Sequence, residues 1–319
     1  MVKIGTSDLD VSPLCLGGNP FGWTADETAS FAVLDAYAEA GGNFIDTADL
    51  YTFHAPGNSG GESETIIGRW LRSRGCRDRM VIATKVGALP GLDNLSPRTI
   101  RRAVADSLRR LGTDHIDLYF AHVDDPGTPL AETLGAFDAL VRSGMVRYIA
   151  ASNFTADRLS ESLQTSAREG LAAYVALQAE YNLVQRDGYE RELAPTVAGA
   201  GLACLPYVAL ARGFLTGKYR AGGPVVDSPR AGRARAHLNG NGPGVLAALD
   251  EVAAAHRTTL AAVALAWLAA QPTVATPIAG ARNATQIADL LPFLTLRLTA
   301  DELALLDRAG ATPPAHNPT

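Results

Sequence analysis

From about residue 43 to residue 290 the chain repeats one rhythm, a short β-branched apolar run followed by a longer amphipathic segment. Runs of strand length are Leu14–Gly18, Asn43–Thr47, Met80–Lys85, His115–His122, Val146–Ala151, Tyr174–Gln178, Leu202–Pro206 and Val274–Ala279. Between them, apolar spacing predicts helices over Thr28–Ala40, Ser63–Arg74, Pro97–Leu111, Leu130–Arg142, Ala156–Arg168, Tyr189–Ala200 and Leu246–Ala270. Strands that alternate with helices point to a parallel α/β fold, and eight of them favour closure into a single (β/α)8 TIM barrel. All 319 residues, 1–319, fit one such domain.

Helix punctuation agrees. Ser96-Pro97 reads as an N-cap with proline at the first helical position, and Gly144 follows a helix that ends in Val141-Arg142. The first dozen residues alternate around Thr6-Ser7-Asp8, which predicts a β-hairpin plugging the lower end of the barrel. Two long excursions, Tyr51–Glu62 and Val208–Gly244, leave the C-terminal ends of strands, where barrel enzymes place their sites. The stretch 311–319, with three prolines in nine residues, is expected to be a flexible tail.

Three of the runs end in different reactive side chains: Asp46, Lys85 and His122, with Tyr51 five residues after Asp46. Consecutive strand ends lie side by side at one rim of a parallel barrel, so the four are expected to meet. Singly, each has an ordinary structural reading: an aspartate capping a turn, a lysine snorkelling to water, a histidine satisfied in the core. Together they make a proton donor for a carbonyl, the chemistry of an aldehyde or ketone reductase. A free phenol has a pKa of about 10. Lys85 is expected to lower that value at Tyr51 while Asp46 holds Lys85 in place. His122 would orient the substrate oxygen or share its proton.

Composition removes other classes. Hydrophobic residues make up 47% of the chain and charged ones 19%, enough for a large core. The net charge of −5 and the absence of a long basic run argue against nucleic-acid binding. Arg230–Arg235 is the one local basic excess, and its three arginines suit a small anion. Cys15, Cys76 and Cys204 match no metal-ligand spacing and read as reduced thiols of a cytoplasmic protein. The N-terminus has no apolar leader, and the longest apolar stretch, Leu260–Ala270, is about half of the roughly 20 residues that cross a bilayer. No membrane association and no metal are expected. Gly17-Gly18 lacks the third glycine of a Rossmann fingerprint, so close ligand approach is the reading there.

Several segments, quoted in order, resemble the core motifs of the aldo-keto reductase superfamily. They are Gly41-Gly-Asn-Phe-Ile-Asp-Thr-Ala-Asp-Leu-Tyr51, Gly61-Glu-Ser-Glu-Thr-Ile-Ile-Gly68, Ala83-Thr-Lys85 and Asp117-Leu-Tyr-Phe-Ala-His122. Further along come Ala151-Ser-Asn-Phe154, Gln178-Ala-Glu-Tyr-Asn-Leu183, Gly213-Phe-Leu-Thr-Gly-Lys-Tyr219 and Pro277-Ile-Ala-Gly-Ala-Arg282. The resemblance covers nearly the whole chain. It implies a (β/α)8 barrel, NADPH as hydride donor, and Tyr51 as general acid supported by Asp46, Lys85 and His122.

In that context Ser152, Asn153 and Gln178 are suited to hydrogen-bond the nicotinamide carboxamide, and Tyr207 offers a flat face for stacking. The segment Val208–Lys218, with Val208, Leu210, Gly213 and Lys218, is expected to cradle the pyrophosphate, Lys218 as its cation. Gly280-Ala-Arg282 leads into a helix, and Arg282 is expected to clamp a 2′-phosphate, which favours NADP over NAD. Gln286 reaches toward the adenosine, while Leu290 stands where many relatives have asparagine. Relatives often carry Ser-Pro where this chain has Val208-Ala209. Phe21, Trp23, Phe53 and His54 are expected to line the pocket of a small-molecule carbonyl substrate. Oligomeric state stays open. So do two other readings: a nicotinamide-sensing regulatory subunit, and a lyase using Lys85 as a Schiff-base nucleophile. A proton held on Lys85 by Asp46 works against the second.

Overall fold

A computed structural model describes residues 1–311; beyond Ala311, the expected flexible tail lies outside the described residues. Two short antiparallel strands, β1 (Val2–Lys3) and β2 (Asp10–Val11), precede eight parallel ones. The eight are β3 (Cys15–Gly17), β4 (Phe44–Asp46), β5 (Val81–Val86), β6 (Ile116–Ala121), β7 (Val146–Ser152), β8 (Tyr174–Gln178), β9 (Ala203–Cys204) and β10 (Ile278–Ala279). They lie in the order β10-β3-β4-β5-β6-β7-β8-β9. The ring closes where Cys204 bridges to Val274 and the Ile278 amide donates to the Pro206 carbonyl at 2.9 Å. This is the expected α/β barrel, with the hairpin ahead of it.

The helices are α1 (Glu27–Glu39), α2 (Glu62–Arg74), α3 (Pro97–Leu111), α4 (Leu130–Arg142), α5 (Ala156–Glu169), α6 (Ala194–Gly199), α7 (Ala231–Arg235), α8 (Gly242–His256), α9 (Leu260–Ala269), α10 (Ala284–Leu290) and α11 (Ala300–Gly310). α3 has the form its sequence dictates. Ser96 caps the Thr99 amide, Pro97 opens the helix, and Ile100, Ala103, Val104, Ser107 and Leu111 form its buried stripe.

The period-two alternation of each strand divides the core. Phe44, Val81, Ala83, Leu118, Phe120, Ala150 and Val175 fill the barrel interior, floored by Ile4, Leu9 and Val11 from the hairpin. Ile45, Ile82, Tyr119, Ile149 and Leu177 point outward into the layer shared with the helices.

Two regions depart from the sequence expectation. The single helix predicted over Leu246–Ala270 is two, α8 and α9, bent by 99° at the break. Arg257 takes a left-handed conformation (φ 51°), and the Thr259 hydroxyl caps the Ala262 amide and starts a new helix. No single helix among the described residues is long and apolar enough to cross a membrane. The Tyr189–Ala200 helix begins as a wide π-helical turn over Gly188–Leu193 before α6.

Candidate active site

Alternation also aims the reactive groups. Phe44 and Asp46 share the inner face of β4, as Val81, Ala83 and Lys85 share that of β5, so Asp46 and Lys85 cap the interior cluster at its upper rim. His122 follows β6 directly, its amide bonded to the Val86 carbonyl at 2.8 Å. Tyr51 lies in the turn after β4 and comes back over Asp46.

The four meet. The Lys85 ammonium donates to both Asp46 carboxylate oxygens (2.7 and 2.8 Å), to the Thr47 carbonyl (2.8 Å) and to the Tyr51 hydroxyl (2.8 Å). Tyr51 in turn donates to Asp46 at 3.0 Å. Gln178 donates its amide to Asp46 at 2.9 Å, a contact the sequence did not suggest. The His122 ring stands edge-on to Tyr51, centroids 6.1 Å apart.

One electrostatic expectation is reversed. Burial pushes Tyr51 well above the usual phenol value, and the Asp46 carboxylate that accepts its proton adds to the rise. The sequence offered Lys85 as a lowering charge but could not weigh the loss of solvent against it. Tyr51 is therefore a firmly protonated phenol. Burial likewise pulls Lys85 down from its ordinary value, against the opposing pull of Asp46. His122, desolvated and next to Lys85, falls to about 3 and is a neutral imidazole at physiological pH.

Tyr51, Asp46 and His122 border a cavity of about 1010 Å³. Lys85 is not among its lining residues and reaches it through Tyr51. Ser152, Asn153, Gln178, Tyr207, Val208, Leu210, Gly213, Lys218, Gly280, Arg282 and Gln286 all border the same cavity. Asn153 donates to the His122 carbonyl at 2.8 Å and accepts the Tyr207 hydroxyl at 2.8 Å, which ties the two rims together. Val208 holds φ 54°, a left-handed conformation that is costly for a β-branched residue. At Gly213 a Cβ would press on the Lys218 side chain at 3.1 Å, so glycine lets that lysine fold across its own loop. The Gln286 side chain accepts the Arg282 amide at 3.0 Å, and Leu290 lines the same cavity.

Arg230 also lines this cavity, a placement that the isolated basic run hinted at without locating. Its guanidinium lies 5.6 Å from the Trp23 ring centroid. Lys218, Arg230 and Arg282 make no ion pair among the described residues. Burial, with Arg282 and Arg230 close by, pulls the Lys218 ammonium down.

The expected substrate wall is only partly there. Trp23 lines the cavity and is 40% exposed. Phe21 does not; it is fully buried in the core, its turn having folded inward. Phe53 and His54 are not lining residues either. Glu62 binds the Thr52 hydroxyl and the Ser59 and Gly60 amides, while Asn58 reaches the Gly22 carbonyl, and this folds the loop onto α2 with Phe53 and His54 against each other. Gly18 is small for an internal reason: a Cβ there would meet the Ser63 hydroxyl at 2.8 Å.

Residues 13–311 match the sequence model of the aldo/keto reductase family. The chain is 33% identical to the uncharacterized oxidoreductase YrpG of Bacillus subtilis (strain 168), over 98% of each chain. It is 33% identical to the aldo-keto reductase ausK of Aspergillus calidoustus, over 96% of this chain and 80% of that one. A probable voltage-gated potassium channel subunit beta of Oryza sativa subsp. japonica is 32% identical over 92% of both.

Proposed function

The chain belongs to the aldo/keto reductase family, and from that premise we propose that it reduces an aldehyde or ketone to the alcohol with NADPH, Tyr51 acting as general acid. Relatives in this family are oxidoreductases that typically use nicotinamide cofactors. One observation carries the finer reading: a half-buried, protonated phenol within 3.0 Å of both an ammonium and a carboxylate, at the edge of a cavity whose cations Lys218, Arg230 and Arg282 make no ion pair among the described residues. Lys218, Arg230 and Arg282 suit the phosphates of a dinucleotide, Arg282 the 2′-phosphate. Ser152, Asn153 and Gln178 suit its carboxamide, and Tyr207 its ring. When bound, the reduced nicotinamide supplies the hydride.

The rest falls to the chain's own groups. Tyr51 donates its proton to the substrate oxygen as charge develops there, and Lys85 steadies the phenolate left behind. Neutral His122 orients that oxygen by a hydrogen bond without competing for the proton. The substrate is a small carbonyl compound that lies between Trp23, Tyr51 and His122. The Schiff-base alternative fits poorly, because all four neighbours of the Lys85 nitrogen are protein oxygens. Three buried, unpaired cysteines support a reducing, cytoplasmic setting.

The likeness to the rice channel subunit favours one other reading, a nicotinamide sensor with slow turnover. Titration with NADPH and NADH separately, followed by tryptophan fluorescence, then turnover on an aldehyde panel, distinguishes them. Tight NADPH-selective binding with turnover is expected. Binding without turnover on any carbonyl would favour the sensor, and no binding of either nucleotide would sink the cofactor assignment.

A further inference from the structure

Arg230 differs from the other free cations of the cavity in what it lies against. It comes late in the Val208–Gly244 excursion, where its amide donates to the Ser228 hydroxyl at 3.3 Å and its carbonyl accepts the Ala234 amide of α7 at 3.0 Å. That turn carries the guanidinium over the face of Trp23, 5.6 Å from the ring centroid and within cation–π range.

Trp23 in turn belongs to the Tyr51 side of the cavity. Asn58 donates to the Gly22 carbonyl at 2.9 Å and to the Thr52 carbonyl at 3.2 Å. One side chain thus ties the residue before Trp23 to the residue after Tyr51. Trp23, Tyr51 and Arg230 all line the same cavity. These contacts bring a guanidinium to the wall against which the substrate is proposed to lie. Arg230 and Tyr51 are also close enough for each to act on the other's proton equilibrium.

The Arg230 guanidinium is not already engaged: its side chain makes no hydrogen bond and no ion pair among the described residues. Arg212, which lines the same cavity, is bonded to Glu180 at 2.9 Å. Of the carboxylates lining the cavity, Asp46 is held by Lys85, and Asp289 belongs to α10, the helix that follows Arg282. A half-buried fork of five donors without an acceptor has lost hydration that an anion would replace. Two edges are available to it, so a dinucleotide phosphate on one leaves the other for a second acceptor.

We propose that Arg230 determines substrate specificity by binding a carboxylate on the substrate, so that the carbonyl compound reduced here is an oxo acid. The single fork matches the one charge and the planar shape of a carboxylate. With the acid end held over Trp23, the carbonyl is left to reach Tyr51 and His122. The proposal rests on the reductase reading and names its substrate class.

The test pairs 4-formylbenzoate, ionised near neutrality, with its neutral methyl ester. Both are reduced at saturating NADPH by the wild type, Arg230→Gln and Arg282→Ala. The quantity read is the ratio of kcat/KM for the acid to that for the ester, in which any loss common to both substrates cancels. One charge-assisted fork predicts a wild-type ratio about 10-fold or more above that of Arg230→Gln, carried by KM rather than kcat. Equal ratios in those two proteins overturn the proposal. So does a ratio that falls as far in Arg282→Ala, because the whole cation array then reads the charge. If Arg230→Gln does not fold, Arg230→Lys keeps the charge without the fork. A ratio below wild type is expected there, and an unchanged one overturns the proposal.

Calorimetric titration of the two compounds into the NADP⁺-loaded protein supplies a readout free of turnover. The wild type is expected to bind the acid about 10-fold more tightly than the ester, and Arg230→Gln to bind them alike. A wild type that does not distinguish them overturns the proposal. A binding preference without turnover of either compound would instead remove the reductase reading and leave Arg230 as a carboxylate site.

Discussion

On the side of the cavity formed by β4 and β5, Asp46, Lys85 and Tyr51 are all bonded to one another. Along the same cavity, Lys218, Arg230 and Arg282 make no ion pair among the described residues; burial and the neighbouring Arg282 pull Lys218 and Arg230 down, and Arg230 also faces Tyr51. The first group is complete as it stands: its charges cancel, and the Thr47 carbonyl and the Gln178 amide hold its geometry. The second is an array of like charges whose repulsion an anion would relieve. Under the proposed function, preorganisation would serve the chemistry and electrostatic tension the binding.

The sharpest way to break this contrast is Tyr51→Phe. We expect turnover to fall by roughly 10²–10⁴-fold while NADPH affinity stays near that of the wild type, read by steady-state kinetics and fluorescence titration. An equal loss of binding would mean that the two sides are not separable. Lys85→Met should follow in size. It leaves the Asp46 carboxylate buried and unpaired, at a cost of about 3–5 kcal/mol in unfolding free energy by urea titration. A change below about 1 kcal/mol would show that solvent already reaches the pair.

Arg282→Ala probes the other side. The loss of one charge-assisted contact predicts NADPH binding weaker by roughly 10- to 100-fold, with NADH scarcely affected. Equal loss for both nucleotides would mean that Arg282 does not read the 2′-phosphate. The smallest effect is that of salt: raising ionic strength should weaken NADPH binding severalfold and leave the turnover of the bound complex unchanged.

Acid sharpens the contrast differently. His122 has a depressed folded-state pKa, so it adds stability that is full above the unfolded value of 6.5 and lost as pH falls toward about 3. His122→Asn should therefore shift acid unfolding to lower pH, as followed by circular dichroism.

The regular parts of this molecule were legible in the sequence. Pro97–Leu111, Leu130–Arg142 and Tyr174–Gln178 have the expected bounds, because caps, prolines and apolar period act locally. The meeting of Asp46, Lys85 and His122 followed from strand ends, which a parallel barrel brings to one rim, and Tyr51 joined them as the tyrosine in the turn that leaves β4. Loops carry no such period. Nothing in their sequence says that Phe21 turns inward, that Glu62 gathers Phe53 and His54 away from the cavity, or that Arg230 folds over Trp23. The acidity of Tyr51 was misjudged for a related reason: charge neighbours can be read from spacing, but desolvation is a property of the whole assembled rim.

Trp23 has an optical consequence. Of the three tryptophans in the chain, Trp70 and Trp267 are sealed in the core, and Trp23 alone borders the cavity, beneath the Arg230 guanidinium. A nucleotide that recruits Arg230 would change the surroundings of this indole and leave those of the other two as they are. The shift in emission wavelength is thus a local reporter, and Trp23→Phe should remove that shift while leaving whatever quenching arises by energy transfer from Trp70 and Trp267.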